Sequence, residues 1–232
     1  MRFLLLFSIA IGLLREADNG AVASPPEYVY HRIHEAAEKD DLETVRQLVD
    51  ADPSLLNRGV IVEHWSTGSQ ESDMTPLYCA AEKGRLRVVE FLLAKKAKVN
   101  GYVYATGSPL HVAAKHGHLA IVKALVEDGA YIDAANRWTA SPLMMAVGNG
   151  HLDIVEHLLA NGASADRKDN QGRSPLQVAI EMQQLDVAWK LYQSARRVTD
   201  GDRRTLVALA TEKQRDEIIA ALKNEDENAS RR

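Results

Sequence analysis

Apolar residues return along this chain in short bursts at helical spacing, separated by polar stretches that contain glycine. Leu77, Ala80 and Ala81 fall at i, i+3 and i+4, which predicts a short helix with a small-residue face. Thr75 stands before it as an N-cap and Pro76 at its first position, where a missing N–H costs nothing. Gly84 suits the left-handed stop that follows. Val89 with Leu92 and Leu93 then predicts a second helix from Leu86 to Ala94, packed antiparallel on the first. Helices of two or three turns are too short to be stable alone in water. Each needs its neighbours.

The pattern repeats. Thr75-Pro76-Leu77, Ser108-Pro109-Leu110, Ser141-Pro142-Leu143 and Ser174-Pro175-Leu176 place prolines at 76, 109, 142 and 175, a constant step of 33 residues. Eight residues after the first three prolines stand Gly84, Gly117 and Gly150, while the fourth unit has Gln183. Ten residues after each proline stand Leu86, Leu119, Leu152 and Leu185. Four units in one register define a solenoid, whose stability comes from unit interfaces rather than one central core.

The units at the ends depart from the pattern, as capping units do. At the front, Ile33, Ala36, Ala37, Leu42, Val45 and Leu48-Val49 match the helix pair without the Ser/Thr-Pro start. From Arg32, aligned with the proline position, to Pro76 is 44 residues, so the connection between the first two units carries an insertion within 58–72 that includes Trp65. At the rear, Thr205-Leu206-Val207 through Ile218-Ile219 and Leu222 matches one more helix pair, and residues 224–232 read as a polar tail.

Residues 1–23 read as an export signal. Met1-Arg2, a run of mostly apolar residues from Phe3 to Leu14, and Ala21-Val22-Ala23 supply a basic start, an apolar core and a small-residue cleavage site. The run is too short to cross ~30 Å of hydrocarbon, so no permanent membrane anchor is expected. The expected compartment is periplasmic or secreted if the signal is cut, and cytoplasmic otherwise. Residues 24–30 are then a linker to a repeat domain at 31–223.

The run Ser108-Pro109-Leu110-His111-Val112-Ala113-Ala114, followed by Gly117-His118-Leu119, Ile121-Val122 and Asp128-Gly129-Ala130-Tyr131-Ile132-Asp133, resembles the ankyrin repeat family. The resemblance covers about residues 31–223. It implies an all-α solenoid with β-hairpin fingers, an array of about five repeats plus a degenerate C-terminal cap. It also implies the family's usual work, binding other proteins, and gives His34 and His111 a role in hydrogen bonds between repeats.

Composition narrows the partners. With 28 basic and 32 acidic residues the formal charge is −4, which leaves no electrostatic footprint for nucleic acid. A single cysteine, Cys79, excludes an intramolecular disulfide and a CxxC motif, and its place beside Ala80-Ala81 suits packing better than nucleophilic use. His111, His116 and His118 are the densest histidines, and an enzyme would draw its metal or base from them. They lack HExxH spacing and a cysteine partner, so no metal, cofactor or catalytic residue is expected. The basic group Arg85, Arg87, Lys95, Lys96 and Lys98 reads as a solvated outer face.

In ankyrin arrays partners meet the finger tips and the exposed end of each first helix. Register from the prolines gives Lys83, then Tyr104, Lys115 and His116, then Arg137, Trp138 and Asn149, then Arg173, with Tyr102 beside Tyr104 and Trp65 in the enlarged finger. Small residues at the same register, Gly107, Ala140 and Gly148, leave room for a depression between the rings. Trp, Tyr and Arg are the types enriched among interface hot spots. The expectation is a monomeric, non-enzymatic protein that contacts a partner protein through these ten residues.

Overall fold

The computed structural model describes residues 27–59, 74–101, 106–195 and 199–209. The expected signal and linker boundary, the polar tail, Trp65, Tyr102 and Tyr104 lie outside the described residues. The elements are α1 (Glu27–Glu38), α2 (Leu42–Ala51), a 3-10 turn (Pro53–Asn57), α3 (Pro76–Glu82), α4 (Leu86–Ala94), α5 (Pro109–Lys115) and α6 (Leu119–Glu127). They continue with α7 (Pro142–Gly148), α8 (Leu152–Ala160), α9 (Pro175–Glu181), α10 (Leu185–Ser194) and α11 (Asp200–Leu209).

The helices form two layers. Inner helices α1, α3, α5, α7 and α9 pack each on the next, and α11 closes against α9 and α10. Outer helices α2, α4, α6, α8 and α10 stack behind them in the same order. Alanine at the inner-helix centres (Ala80-Ala81, Ala113-Ala114, Ala146 and Ala179, all at 0% exposure) lets neighbouring backbones approach. The outer helices supply the bulk: Leu92, Leu125, Leu158 and Leu191 are fully buried and recur at the 33-residue step. Burying one such leucine contributes about 1.5–3 kcal/mol, and every one of them needs the adjacent unit to cover it.

Starts and stops follow the chemistry of the sequence. Each of the four regular inner helices begins with proline behind a Thr or Ser N-cap. Thr75 Oγ1 accepts from Tyr78 N–H at 3.2 Å, and Ser141 Oγ from Met144 N–H at 3.3 Å. At the far end, Arg85, His118, His151 and Gln184 N–H donate back across the stop to Ala80, Ala113, Ala146 and Ala179 at 2.9–3.0 Å. That closure places Gly84, Gly117 and Gly150 at φ near +75° and forces Gln183 to +57°. The fourth stop adopts the same form with a residue that strains to do so.

The described residues contain no strand, only isolated bridge positions at Met74 and Gly107. Where the resemblance implies β-hairpins, the described fingers at 136–140 and 169–173 are tight turns. The Pro142 finger closes with Asn136 N–H to Ala140 O at 3.0 Å, and the Pro175 finger with Asp169 N–H to Arg173 O at 3.0 Å. Among the described residues no helix is long and apolar enough to cross a membrane.

Candidate protein-binding face

The C-caps of four successive inner helices are Lys83, His116, Asn149 and Met182, and all four are exposed. Because the inner helices pack side by side, these ends make one row along the array. Lys83 pairs with Glu82 at 3.2 Å, a surface contact that contributes little. Lys115 is exposed at the end of α5. The imidazole of His116 lies 6.1 Å from that of His118, and partial burial, then the charge of Lys115, lowers its proton affinity. Met182 leaves 53% of its surface to solvent.

Above the row stand the fingers. Asn136 Oδ1 accepts from Trp138 N–H at 3.0 Å and Ala140 N–H at 3.1 Å, and Asn136 O accepts from Thr139 N–H at 2.9 Å. These bonds turn the chain sharply and push Arg137, Trp138 and Thr139 outward. Asn170 N–H donates to Trp138 O at 3.1 Å, so one finger braces the next. The Trp138 ring sits on this rigid loop with 46% of its surface exposed.

Beneath the finger lies His111, fully buried. Its Nδ1 accepts from Ser108 N–H at 3.0 Å, which leaves the proton on Nε2 to be donated to Ala134 O at 3.1 Å and Ala140 O at 3.2 Å. One ring therefore ties the start of α5 to both ends of the loop that carries Trp138. Burial holds the imidazole neutral and pushes its pKa down to about 4, against the smaller pull of the two carbonyls. The role that the resemblance gives His111 matches these bonds. His34 Nε2 lies 3.1 Å from Arg58 O in the front unit.

His118 and His151 perform a function that spacing alone did not disclose. His118 Nε2 meets Glu82 O and His151 Nε2 meets Lys115 O, both at 3.1 Å, each one unit back along the array. Their rings occupy the ground over the preceding glycine. A Cβ on Gly84 would fall 2.7 Å from His118 Cε1, and one on Gly117 2.7 Å from His151 Cε1. Glycine at these stops thus serves a close approach as well as a positive φ. The signal was present in the sequence, a His directly after Gly in two units, but nothing in spacing says where such a ring points.

The other expected contact residues divide. Arg137 and Asn149 are exposed as expected, whereas Arg173 is half-buried and bound at both ends. Its Nε and Nη2 donate to Asp169 Oδ2 at 2.9 and 2.8 Å, and its Nη1 donates to Glu181 Oε2 at 2.9 Å. Burial raises the Asp169 pKa, but the backbone N–H and guanidinium of Arg173 outweigh it and hold the carboxyl below its ordinary value. Gly107 and Ala140, placed on this face by register, point inward and are buried. Tyr131, 69% exposed on the loop after α6, was not expected to be prominent, although the sequence has Lys98 and Ser164 at that register.

Cys79 is buried, and that burial pushes its thiol up to about 12, so thiolate is scarce. Of the outer basic group, Arg85 Nε donates to Glu38 O at 2.6 Å and Lys95 pairs with Asp50 at 2.9 Å. Among the described residues no three His, Cys, Asp or Glu side chains gather as a metal would need.

Stacked helix pairs of fixed register, an inner row of exposed caps and projecting turns define a helical repeat solenoid. Residues 33–136 and 132–202 match the family described as ankyrin repeats (3 copies), and the chain belongs to the ankyrin repeat family. Proteins of this family are generally protein–protein interaction modules and typically not enzymes. No curated protein matches the chain.

Proposed function

We propose that this chain is a non-enzymatic binding protein, built of about five repeats and a C-terminal cap. It engages a partner protein through the inner row Lys83, Lys115, His116 and Asn149 and the finger residues Arg137 and Trp138. Tyr102, Tyr104, Arg173 and Trp65 belong to the same reading as flanking contacts. One observation carries it: a tryptophan stands 46% exposed on a loop whose backbone is fixed from three sides. A large ring held open to solvent on a rigid mount loses little entropy when a partner covers it.

The test is Trp138→Ala. It should leave the unfolding midpoint within about 1 kcal/mol of wild type, as exposed substitutions do. It should weaken binding to the partner recovered by pull-down by ~2 kcal/mol or more, roughly thirtyfold. A destabilised variant with unchanged affinity would make the ring structural and move the search to the enlarged first finger. The proposal includes export of a monomer after cleavage at Ala23. Intact mass of protein from the native host tests this, and retention of Met1 in a cytosolic fraction would replace export with a cytoplasmic adaptor role.

A further inference from the structure

The Pro142 and Pro175 fingers share a backbone but differ in what fills the space between finger and inner helix. In the Pro175 unit Arg173 fills it, bound by Asp169 on the finger and Glu181 on α9. Thirty-three residues earlier the three positions are Asn136, Ala140 and Gly148. Asn136 Oδ1 caps the N–H groups two and four residues on, as Asp169 Oδ1 caps those of Gln171 and Arg173. Asn136 Nδ2 therefore takes the place of Asp169 Oδ2, the atom that the guanidinium meets.

That nitrogen is stranded. Asn136 is 5% exposed, and its Nδ2 is buried without a hydrogen-bond partner. The side chain that would meet it is the methyl of Ala140. A Cβ placed on Gly148 would find nothing within 4 Å, so the ground where Glu181 stands in the next unit is open. Trp138 rises on the same finger. Lys115 holds the register of Gly148 on the preceding inner helix, is exposed, and has no ion pair among the described residues. Helices α5 and α7 contain no acidic residue to neutralise it, and Glu82, at the same register on α3, is paired with Lys83 at 3.2 Å.

We propose that this notch receives an acidic side chain of the partner protein, with Asn136 Nδ2 donating to the carboxylate, Lys115 facing it, and an adjacent apolar side chain of the partner covering Trp138. The inference rests on the reading that this face binds protein. The sign of the group follows from what is missing. A cation would need the two carboxylates of the Pro175 unit, and here an amide donor and a glycine replace them. A neutral amide oxygen would satisfy Nδ2 and leave Lys115 without a counter-charge, whereas a carboxylate answers both. Nδ2 is closed to water, so the carboxylate enters over Gly148 and displaces a rim side chain.

The experiment selects short random peptides on the full chain and measures the winners against two variants. Asn136→Asp with Ala140→Arg and Gly148→Glu transplants the Pro175 bridge and fills the notch; Trp138→Ala removes the ring. Winning peptides should carry Asp or Glu beside a bulky apolar residue. They should weaken about thirtyfold on the transplant, whose unfolding midpoint should not fall, and about tenfold when the acid is replaced by its amide. Lys115→Glu, an exposed change that leaves the fold alone, should weaken the acidic peptide and spare its amide form. Peptides that lose affinity with Trp138→Ala but survive the transplant and the amide replacement would overturn the notch and leave the face standing. Peptides indifferent to Trp138→Ala as well, or a selection without binders, would overturn both.

Discussion

The Pro142 and Pro175 units are neighbours with one backbone and two surfaces. Their cores agree position for position: Leu143 with Leu176, Val155 with Ala188, Leu158 with Leu191, all nearly or fully buried. Their fingers close through the same bonds from Asn136 and Asp169. Three side chains then separate them. With Asp169, Arg173 and Glu181 the gap between finger and helix is closed by an internal ion bridge. With Asn136, Ala140 and Gly148 there is no such bridge: the amide nitrogen is buried without a partner and the ground over Gly148 is bare, beside an exposed tryptophan. Register fixes where a side chain stands; its chemistry decides whether that place is already occupied or still available.

The largest expected effect probes what the two units share. Leu158→Ala and Leu191→Ala should each cost ~2–5 kcal/mol in denaturant unfolding, because each leaves a cavity that its neighbours cannot fill. A much smaller loss at one of them would mean that the units do not share one kind of core. Next comes His111, whose counterpart in the Pro175 unit is Gln177, a residue that caps Ser174 in the same way and cannot titrate. The folded imidazole has a pKa of about 4 against an ordinary 6.5, so the unfolded chain takes up a proton that the folded one refuses. Stability should therefore hold above pH 6.5 and fall by up to ~3 kcal/mol as pH drops to 4. His111→Gln should flatten that slope in unfolding curves measured across the window, and an unchanged slope would place the titration elsewhere.

Arg173→Ala opens the closed unit. It leaves the Asp169 carboxylate, whose side chain is 7% exposed, without its guanidinium, and should cost about 1–2 kcal/mol at neutral pH after allowance for the partly exposed arginine. Because the folded Asp169 pKa is depressed, that contribution is present above the ordinary aspartate range and is lost as pH falls through it. Wild type and variant should converge in acid; a constant gap would deny the ion pair its role. The smallest effect is at the finger tip. Thr139 holds φ +57° where the Pro175 finger has Gly172 at +77°, so Thr139→Gly should raise stability by ~1 kcal/mol in a thermal scan. A loss instead would mean that the threonine side chain contributes more than its backbone strain costs.

Much of this molecule could be read from its string of residues. Short-range rules placed Ser or Thr before Pro, glycine at the stop and apolar residues at helical spacing, and a period of 33 made the units count one another. Helix bounds, core leucines and the row Lys83, His116 and Asn149 followed, because each depends only on position within a unit. Orientation across a unit boundary did not follow. That His118 and His151 lie over the preceding glycine is a fact about two units together, whereas the inward turn of Ala140 and the binding of Arg173 by Asp169 and Glu181 are facts about how a finger folds onto its own inner helix. The stranded Asn136 Nδ2 is of this second kind, since an amide is orphaned only by what fails to stand opposite it, here Ala140 where the next unit has Arg173. The local code determined each helix pair, and only the tertiary structure decided which polar groups were answered, because the partner of a buried polar atom depends on how finger, inner helix and neighbouring unit come together.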